Sequence, residues 1–567
     1  MTDSLVIFTF SPIQSFIAEA RRVADLYVGS RVLCELAKAA AQAFGEKQLI
    51  YPASLGEDTP NLLVARVPAT EAAALAARAE GALRQRWQQL AREARDRFAM
   101  EKKAPTDATW DAIWIQQTNA VWDIFWVASD ILEASDAGYR AAYRLARDAL
   151  DAVKRSRLFD AATEMGDKDS LSGQRTALHT AEQMAKPYWT MVSQLETVKS
   201  SELRPFGRER LDALGVVKRF SRLSDSSQFF STSSVATADF LERARPYLRP
   251  YNEVVRELLY RYLYPVRNDP DWPYDGDLLF METLAASRLQ DSYGINPDAI
   301  DESLLAAART ALARVYGLAK SRPSVYYAII QLDGDSIGRH ISSLLSQEQP
   351  ESAHRSFSRH LTEFATEAKD LVRTGFAIYN GGDDVLALTP LRNAIPLAQT
   401  LAASFYTLTN VSASAGIAIT HHLSPLSAAL VAARQAEREA KQVDGKAAMC
   451  VKVLKRSGET VTARSSWDAL GSNLAGVIEH FESGSLSSRL IYDVKRATYA
   501  VGEAGAMFQA ELRRLLARHD KQQANSPLDV RAEAHRLNEW ASRLPDQAAE
   551  LSQWLAVARF MAQKGGD

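Results

Sequence analysis

The sequence predicts a mixed α/β protein (α+β) with several domains, among them a ferredoxin-like α/β sandwich and a C-terminal α-helical bundle. The chain has 567 residues, which is too long for a single hydrophobic core. Residues 325–454 alternate apolar, β-type runs with segments of helical spacing. Residues 504–562 show helical spacing alone, so we expect the chain to end in helices.

The elements of the predicted sandwich follow one another in the order strand, helix, strand–turn–strand, helix, strand, helix, which is typical of a ferredoxin-like sheet. The first strand, residues 325–332, is rich in β-branched and aromatic residues. Further elements are predicted as helices at Ser336–Leu345, Ala353–Leu371 and Leu391–Thr407, a strand at Val411–Thr420 and a helix at Ser424–Lys441.

The central turn has the sequence Asn380-Gly381-Gly382-Asp383-Asp384 and lies between two apolar strands. Paired glycines permit the positive φ values of a tight hairpin. Two carboxylates on an exposed turn suit a hard divalent cation such as Mg²⁺ or Mn²⁺. Alternatively, the aspartates only favour the turn.

A third carboxylate, Asp333, ends the first strand, which in a sheet of this order lies beside the central hairpin. We therefore expect Asp333 to converge with Asp383 and Asp384 on one site. Three carboxylates around Mg²⁺ can activate an attacking hydroxyl and stabilise a pyrophosphate leaving group.

Neighbouring residues fit a phosphate substrate. Gly334 allows close approach of the backbone to a phosphate, as do Gly381 and Gly382, and Lys441 can reach a triphosphate. Asp335 is either a further metal ligand or the cap of the helix that follows it.

Residues Val325–Leu454 resemble the GGDD palm of the large subunit of type III CRISPR effector complexes, and most closely the Cmr (type III-B) branch. This resemblance implies conversion of ATP into cyclic oligoadenylates. It also implies other Cmr-type subunits, guide CRISPR RNA and target RNA as partners. Related diguanylate cyclases usually carry an aromatic residue after the acidic pair, where this chain has Val385.

The first 30 residues are similar to the opening of Cmr-type large subunits, which implies a first palm-like domain. No acidic pair follows its first strand, so we expect this palm to be non-catalytic. Gln14 and Ser15 either contribute to a nucleotide pocket or only begin a helix.

A middle insertion departs from the family. Its members carry four zinc-binding cysteines, and at those positions this chain has Asp169, Ser172, Asp212 and Gly215. Structural zinc sites need Cys or His ligands, so no zinc is expected and packing is expected to hold the insertion.

Four domains are predicted, at residues 1–165, 166–320, 321–460 and 461–567. The first is a palm-like domain with a helical stretch that carries Trp110, Trp114, Trp122 and Trp126, and the second is a mostly helical region that contains the degenerate zinc insertion. The third is the GGDD palm. The fourth resembles the family's helical domain that docks neighbouring subunits, and it could equally be a structural cap.

An HD nuclease domain precedes the first palm in many relatives of this family, and none is recognised here. The dipeptide His519-Asp520 is interpreted as exposed helix residues, so no DNase activity is expected.

Composition gives weaker expectations. The chain has 67 basic and 69 acidic residues, which argues against bulk attraction to nucleic acid. Local basic clusters, such as Lys218–Arg222, either contact RNA or form solvated helix faces. Cys34 and Cys450 are expected to be buried and reduced, and no segment is apolar enough to span a membrane. A cytoplasmic location is therefore expected.

Two alternatives to the oligoadenylate synthase remain open. One is a scaffold that binds RNA and partner subunits through an idle palm. The other is a stand-alone nucleotide cyclase acting on GTP.

Overall fold

The computed structural model describes residues 2–156, 164–200, 202–223, 231–260, 262–267, 269–501, 503–520 and 528–565, with side chains up to residue 563. These residues form two β-sheets, a helical middle region and C-terminal helices. The predicted α/β fold with two palm domains and a helical C-terminal region is confirmed.

The first sheet belongs to the N-terminal domain, and its four strands are antiparallel in the order β2-β3-β1-β4. Its elements are β1 (Asp3–Ser11), α1 (Gln14–Ala18), α2 (Val23–Phe44), β2 (Leu49–Tyr51), β3 (Leu62–Pro68), α3 (Ala72–Asp96), α4 (Ala108–Asn119), β4 (Asp123–Asp130) and α5 (Asp136–Arg155). Alternate residues of β1 point to opposite faces, so Phe8 and Phe10 join one hydrophobic core while Leu5 and Ile7 join another.

One helix prediction in this domain was wrong. Trp110 and Trp114 lie on α4, but Trp122 precedes β4 and Trp126 lies within it. A helix that continued to Trp126 would place Trp122 and Trp126 about one turn apart. In the structure Trp126 pairs with Phe8 across the sheet. Pairing with β1 decides the conformation of this segment.

The second sheet has six strands in the order β10-β9-β8-β5-β7-β6, and only β8 and β9 are parallel. Its elements are β5 (Tyr326–Gly334), α13 (Ile337–Leu344), α14 (Pro350–Leu371), β6 (Phe376–Gly381), β7 (Asp384–Pro390), α15 (Ala394–Thr409), β8 (Ala413–His421), α16 (Leu426–Ala440), β9 (Ala448–Leu454) and β10 (Thr460–Ser466). Strands β6-β7-β5-β8 repeat the order of the N-terminal sheet, which is the ferredoxin-like arrangement.

The two faces of the second sheet are covered differently. Ala328, Ile330 and Leu332 pack with α14, α15 and the C-terminal helices. The opposite face carries α16, which crosses so closely over Gly416 that a Cβ there would collide with the helix backbone. The close approach of α16 brings its polar face to the end of β5.

Helices form the middle and C-terminal regions. The middle helices are α6 (Ala185–Val192), α7 (Ala213–Phe220), α8 (Thr232–Ala236), α9 (Ala238–Ala244), α10 (Arg249–Leu258), α11 (Ala286–Tyr293) and α12 (Glu302–Ala319). The C-terminal helices are α17 (Trp467–Leu470), α18 (Asn473–Glu482), α19 (Leu490–Val501), α20 (Ala506–His519), α21 (Val530–Ser542) and α22 (Gln547–Gly565).

The two palms contact each other through helices that follow their first and fourth strands. Leu345, just after α13, packs in the cluster formed by Tyr139 and Tyr143 of α5. On the other side, Arg434 of α16 donates to the backbone oxygen of Gln14 in α1 at 2.9 Å. These contacts place the N-terminal domain against the face of the second sheet that carries Asp333.

Candidate functional site

The predicted carboxylates meet at one end of the second sheet. Asp333 at the end of β5 pairs in register with Asp384 at the start of β7. Residues paired in register on adjacent strands point to the same face, so both side chains face α16. Asp383 immediately precedes Asp384 and lies in the two-residue turn between β6 and β7.

The three glycines of the site lie in crowded surroundings. Gly382 has φ +72°, and a Cβ there would collide with the hydroxyl of Tyr51. A Cβ on Gly381 would collide with the ring of Tyr379. At Gly334 it would lie 2.7 Å from Cδ1 of Ile337 and 2.9 Å from Cζ of Phe405, so these side chains would have to shift.

The acidic pair is half-buried, so the prediction of an exposed turn was wrong. Tyr51 of the N-terminal domain lies against the turn and shields it from solvent. Burial raises the pKa of Asp383 to about 6. Burial, and then the charges of Asp383 and Glu437, raise the pKa of Asp384 well above its usual range.

Lys441, which was predicted to reach a triphosphate, is ion-paired with acidic residues in the structure. Its ammonium contacts the Asp333 carboxylate directly and lies 3.0 Å from Oε1 of Glu437, one turn earlier on α16. Among the residues that the structure describes, no group of three His, Cys, Asp or Glu side chains is placed to hold a metal ion. Lys441 therefore neutralises Asp333 in this arrangement.

Asp335 has a structural environment. It is buried and accepts hydrogen bonds from the hydroxyls of Ser412 and Ser414, both at 2.8 Å, and from the backbone N–H of Ala447 at 2.9 Å. It does not cap α13, which begins after Ser336 in a left-handed conformation with φ +57°. The alternative that Asp335 caps this helix is therefore wrong, and its oxygens are engaged by the protein.

Gln14 and Ser15 are exposed on α1, where the N-terminal domain meets α16. Gln14 contacts Arg434 through its backbone oxygen. Arg434 in turn lowers the pKa of Asp384, although burial and neighbouring acids outweigh this effect. Gln14 is thus linked to Asp384 through the side chain of Arg434. A nucleotide-binding role for Gln14 stays a prediction.

Sequence reasoning missed three residues near the acidic pair: Tyr51, Arg434 and Glu437. Glu437 carried a weak signal, because it precedes Lys441 by four residues on the same helix face. Tyr51 is more than 300 positions from the turn, and only the packing of the two domains brings it there.

The degenerate insertion is held by polar contacts. Asp169 accepts from the backbone N–H of Ser172 at 2.7 Å, and Asp212 accepts from that of Gly215 at 2.6 Å. The guanidinium of Arg175 contacts Asp212 directly. A charged side chain thus lies among the positions that carry cysteines in the family, and the expectation of packing alone was incomplete.

Two surface interpretations were wrong. His519 is buried, and its Nε2 lies 2.7 Å from the Asp493 carboxylate. Lys218 and Arg219 are also buried, with Arg219 bonded to Asp25 at 2.7 Å, so neither is a solvated or RNA-facing charge. Cys34 and Cys450 are buried free thiols, as predicted.

No helix among the described residues is long and apolar enough to cross a membrane.

Comparison with known families identifies two domains. Residues 326–450 match the family described as Cas10/Cmr2, second palm domain. Residues 5–92 match the family described as CRISPR-associated protein Cmr2, N-terminal. The first match contains all three predicted carboxylates.

Individual proteins give a consistent picture. The CRISPR system Cmr subunit Cmr2 of Pyrococcus furiosus is 32% identical over 209 residues, which cover 31% of this chain and 24% of that protein. The match thus spans about a quarter of the relative's length. Two cryo-EM structures of type III-B Cmr-beta, one apo and one bound to cognate target RNA, each align with a TM-score of 0.66. They cover 99% of this chain and 82% and 83% of theirs at 12% and 13% identity, which shows a shared fold.

Proposed function

We propose that the chain is the large subunit of a type III-B CRISPR effector complex, because residues 5–92 match the N-terminal family of Cmr2 and residues 326–450 match the second palm family of Cas10/Cmr2. Its GGDD palm would convert ATP into cyclic oligoadenylates when target RNA pairs with the guide RNA. Other Cmr-type subunits would be its partners. The in-register pairing of Asp333 with Asp384, beside Asp383 in the turn, is the observation that carries this proposal.

The carboxylates have the chemistry that a divalent cation needs, but they would have to move to bind one, because no three acidic side chains among the described residues are placed to hold a metal ion. Asp383 and Asp384 are half-buried, and burial raises the pKa of both. The charge of Asp383 raises the pKa of Asp384 further, and a cation would relieve both effects. Asp333, Asp383 and Asp384 would hold Mg²⁺ or Mn²⁺, which would neutralise the triphosphate and polarise the reacting phosphoryl group. Asp335 is a weaker candidate, since both of its oxygens already accept hydrogen bonds.

The remaining residues would bind and orient the nucleotide. Lys441 would exchange its contact with Asp333 for the triphosphate, while Glu437 keeps it on the same side of α16. Lys446, bonded to the hydroxyl of Ser336 at 2.8 Å, adds a second cation at the start of α13. Both ammonium groups lie on the side of the sheet where the acidic pair faces α16.

A second candidate function is a scaffold with an idle palm. The ion pair between Lys441 and Asp333 favours it, because this contact occupies a carboxylate that catalysis needs. The same contact is expected of a catalytic palm before ATP and metal bind, so activity must be measured.

The test is mass spectrometry of products formed by the reconstituted complex with ATP, Mg²⁺ and matched target RNA. The Asp383→Asn/Asp384→Asn variant, assembled in the same way, is the control. Oligoadenylates from the wild type alone would support the synthase. A complex that binds target RNA and makes no product would favour the scaffold, and cyclic products from GTP by the isolated chain would favour a stand-alone cyclase.

A further inference from the structure

A cavity of about 680 Å³ opens where the N-terminal domain, the middle helices and the start of α16 meet. Its walls come from the start of α2, from α7 and α11, and from the loop His422–Ser427 between β8 and α16. None of the carboxylates of the GGDD site lines it. Its volume is within the range of sites that take small organic ligands.

The cavity is basic overall, with seven Arg and Lys side chains and five Asp and Glu side chains in its walls. Several of the acids are neutralised within the wall. Glu209 lies 2.6 Å from Arg22 and 3.2 Å from Arg219, and Asp291 is paired with Arg208 at 2.5 Å.

The three remaining wall carboxylates also have partners in the protein. Glu202 lies 2.7 Å from the ammonium of Lys102. Asp275 accepts from the hydroxyl of Ser231 at 2.6 Å, and Asp277 accepts from the hydroxyl of Tyr293, also at 2.6 Å. Burial beside Asp275 also raises the pKa of Asp277, which reduces its negative charge near neutral pH.

Arg288 supplies an available positive charge. It is half-buried on α11, lines the cavity and makes no hydrogen bond or ion pair with any residue the structure describes. Beside the larger effect of burial, the charge of Arg288 lowers the pKa of both Asp277 and His422 in the same wall. A guanidinium that is not hydrogen-bonded can donate to a phosphate in bidentate geometry.

The N-terminus of α16 enters the same cavity. No side chain caps it, and the first intrahelical bonds are donated by Ala428 and Ala429, so the N–H groups of Leu426 and Ser427 have no helical partner. These groups and the helix dipole favour an anion.

A buried histidine beside this helix end points to a ligand independently. His422 is only 7% exposed and lines the cavity, and its Nδ1 lies 2.8 Å from the Ser233 hydroxyl. Its Nε2 makes no hydrogen bond with a described residue. Thr283, 4% exposed in the same wall, likewise has a hydroxyl without a described partner. Both residues line the cavity, so a molecule bound there would have these two polar groups as hydrogen-bond partners.

Tyrosines supply the apolar part of the cavity. Tyr262 and Tyr293 line it, as does Tyr264, whose ring has the Lys199 ammonium over one face at 5.2 Å from the centroid. Aromatic faces of this kind stack on nucleobases, whereas inorganic anions have no use for them.

We propose that this cavity binds a nucleoside monophosphate or a molecule of the same class. The phosphate would lie against Arg288 and the N–H groups of Leu426 and Ser427, and the base would lie among the tyrosines. The site is separate from the GGDD carboxylates, so it can be tested whether or not the palm makes oligoadenylates.

The test is calorimetric binding of AMP to the full chain in the presence of EDTA, with adenosine and inorganic phosphate as comparison probes. AMP should bind more tightly than either. Arg288→Gln should weaken AMP binding about tenfold, as expected for loss of a charge-assisted hydrogen bond. Arg314→Gln, which changes an exposed arginine outside the cavity, should leave it unchanged.

Ser427→Glu guards against misfolding, because an acidic residue at a helix N-terminus stabilises the helix while repelling a phosphate there. AMP binding should fall about tenfold with the melting temperature kept or raised. Asp383→Asn/Asp384→Asn should bind AMP normally. Wild-type affinity in both Arg288→Gln and Ser427→Glu, adenosine or phosphate binding as tightly as AMP, or no AMP binding would each overturn the proposal.

Discussion

The two palms share one strand order but differ at the end of the first strand. In the second palm Asp333 pairs with Asp384, so two carboxylates lie side by side on one face of the sheet. In the N-terminal palm the corresponding end carries Thr9 and Asn61, and the Asn61 amide donates to the Thr9 hydroxyl at 3.3 Å. The second palm holds two negatively charged groups close together, whereas the polar groups of the N-terminal palm hydrogen-bond to each other. The chemistry of a palm thus depends on the side chains placed on the fold rather than on the fold itself.

The largest expected difference between the palms is in product formation. Asp384→Asn in the reconstituted complex should lower oligoadenylate production by on the order of 10³-fold or more, because it removes a charge that acts only with its partners. Asn61→Ala, the matched change in the N-terminal palm, should leave the rate within about threefold of the wild type. Liquid chromatography of labelled products measures both. Comparable losses in the two variants would mean that both palms are catalytic.

The second difference is in stability. The raised folded-state pKa values of Asp383 and Asp384 mean that the folded protein binds protons more tightly than the unfolded chain. The associated stability is present at acid pH and is lost as the pH rises through about 6, the pKa of Asp383. Asp383→Asn/Asp384→Asn should therefore be more stable than the wild type near neutral pH, by on the order of 2 kcal/mol.

Thermal unfolding across pH measures this effect, and the advantage of the variant should vanish at about pH 4, where unfolded aspartates also bind protons. Millimolar Mg²⁺ should raise the melting temperature of the wild type and leave the variant unchanged. A variant that is less stable than the wild type at neutral pH would show that the acidic pair is structural.

Local pattern identified the strands, helices and the turn of the second palm, because each depends on neighbours in the sequence. The convergence of Asp333 with Asp384 was also accessible, since strand order fixes it. The burial of the turn was not, because it depends on Tyr51 from the other domain. The misassigned strand around Trp126 failed for the same reason, since pairing with β1 determined its conformation.

A third and smaller contrast concerns the cation that the second palm uses to neutralise its carboxylates. Lys441→Gln would release Asp333 from its ion pair, so Mg²⁺ affinity should rise about tenfold. Turnover should fall, because the triphosphate loses a cationic partner. Titration with Mg²⁺ alone and steady-state kinetics separate the two effects. Lys455→Gln, which removes an ion pair with Glu459 at 2.9 Å outside the site, should change neither. An unchanged Mg²⁺ affinity would show that Lys441 does not compete with the metal.

The smallest expected effect tests whether the N-terminal palm contributes to the site of the second palm at all. The Tyr51 hydroxyl lies against Gly382, and burial, together with Asp383 and Asp384, keeps its pKa well above the usual range, so it stays protonated. Tyr51→Phe should lower kcat/KM roughly threefold to tenfold, as expected for one neutral hydrogen-bonding group. It should also shift the pH midpoint of activity upward, because loss of the hydroxyl makes the surroundings of the half-buried carboxylates less polar.

Tyr139→Phe is the matched control, since Tyr139 also reaches across the domains, to Nδ1 of His354 at 3.1 Å, without touching the turn. If both variants lost activity equally, with no change in the pH midpoint, Tyr51 would serve only to hold the domains together. A shift of the midpoint in Tyr51→Phe alone would mean that the non-catalytic palm sets the proton affinity of the catalytic one. The two palms would then form a single site to which the N-terminal domain contributes a hydroxyl in place of a charge.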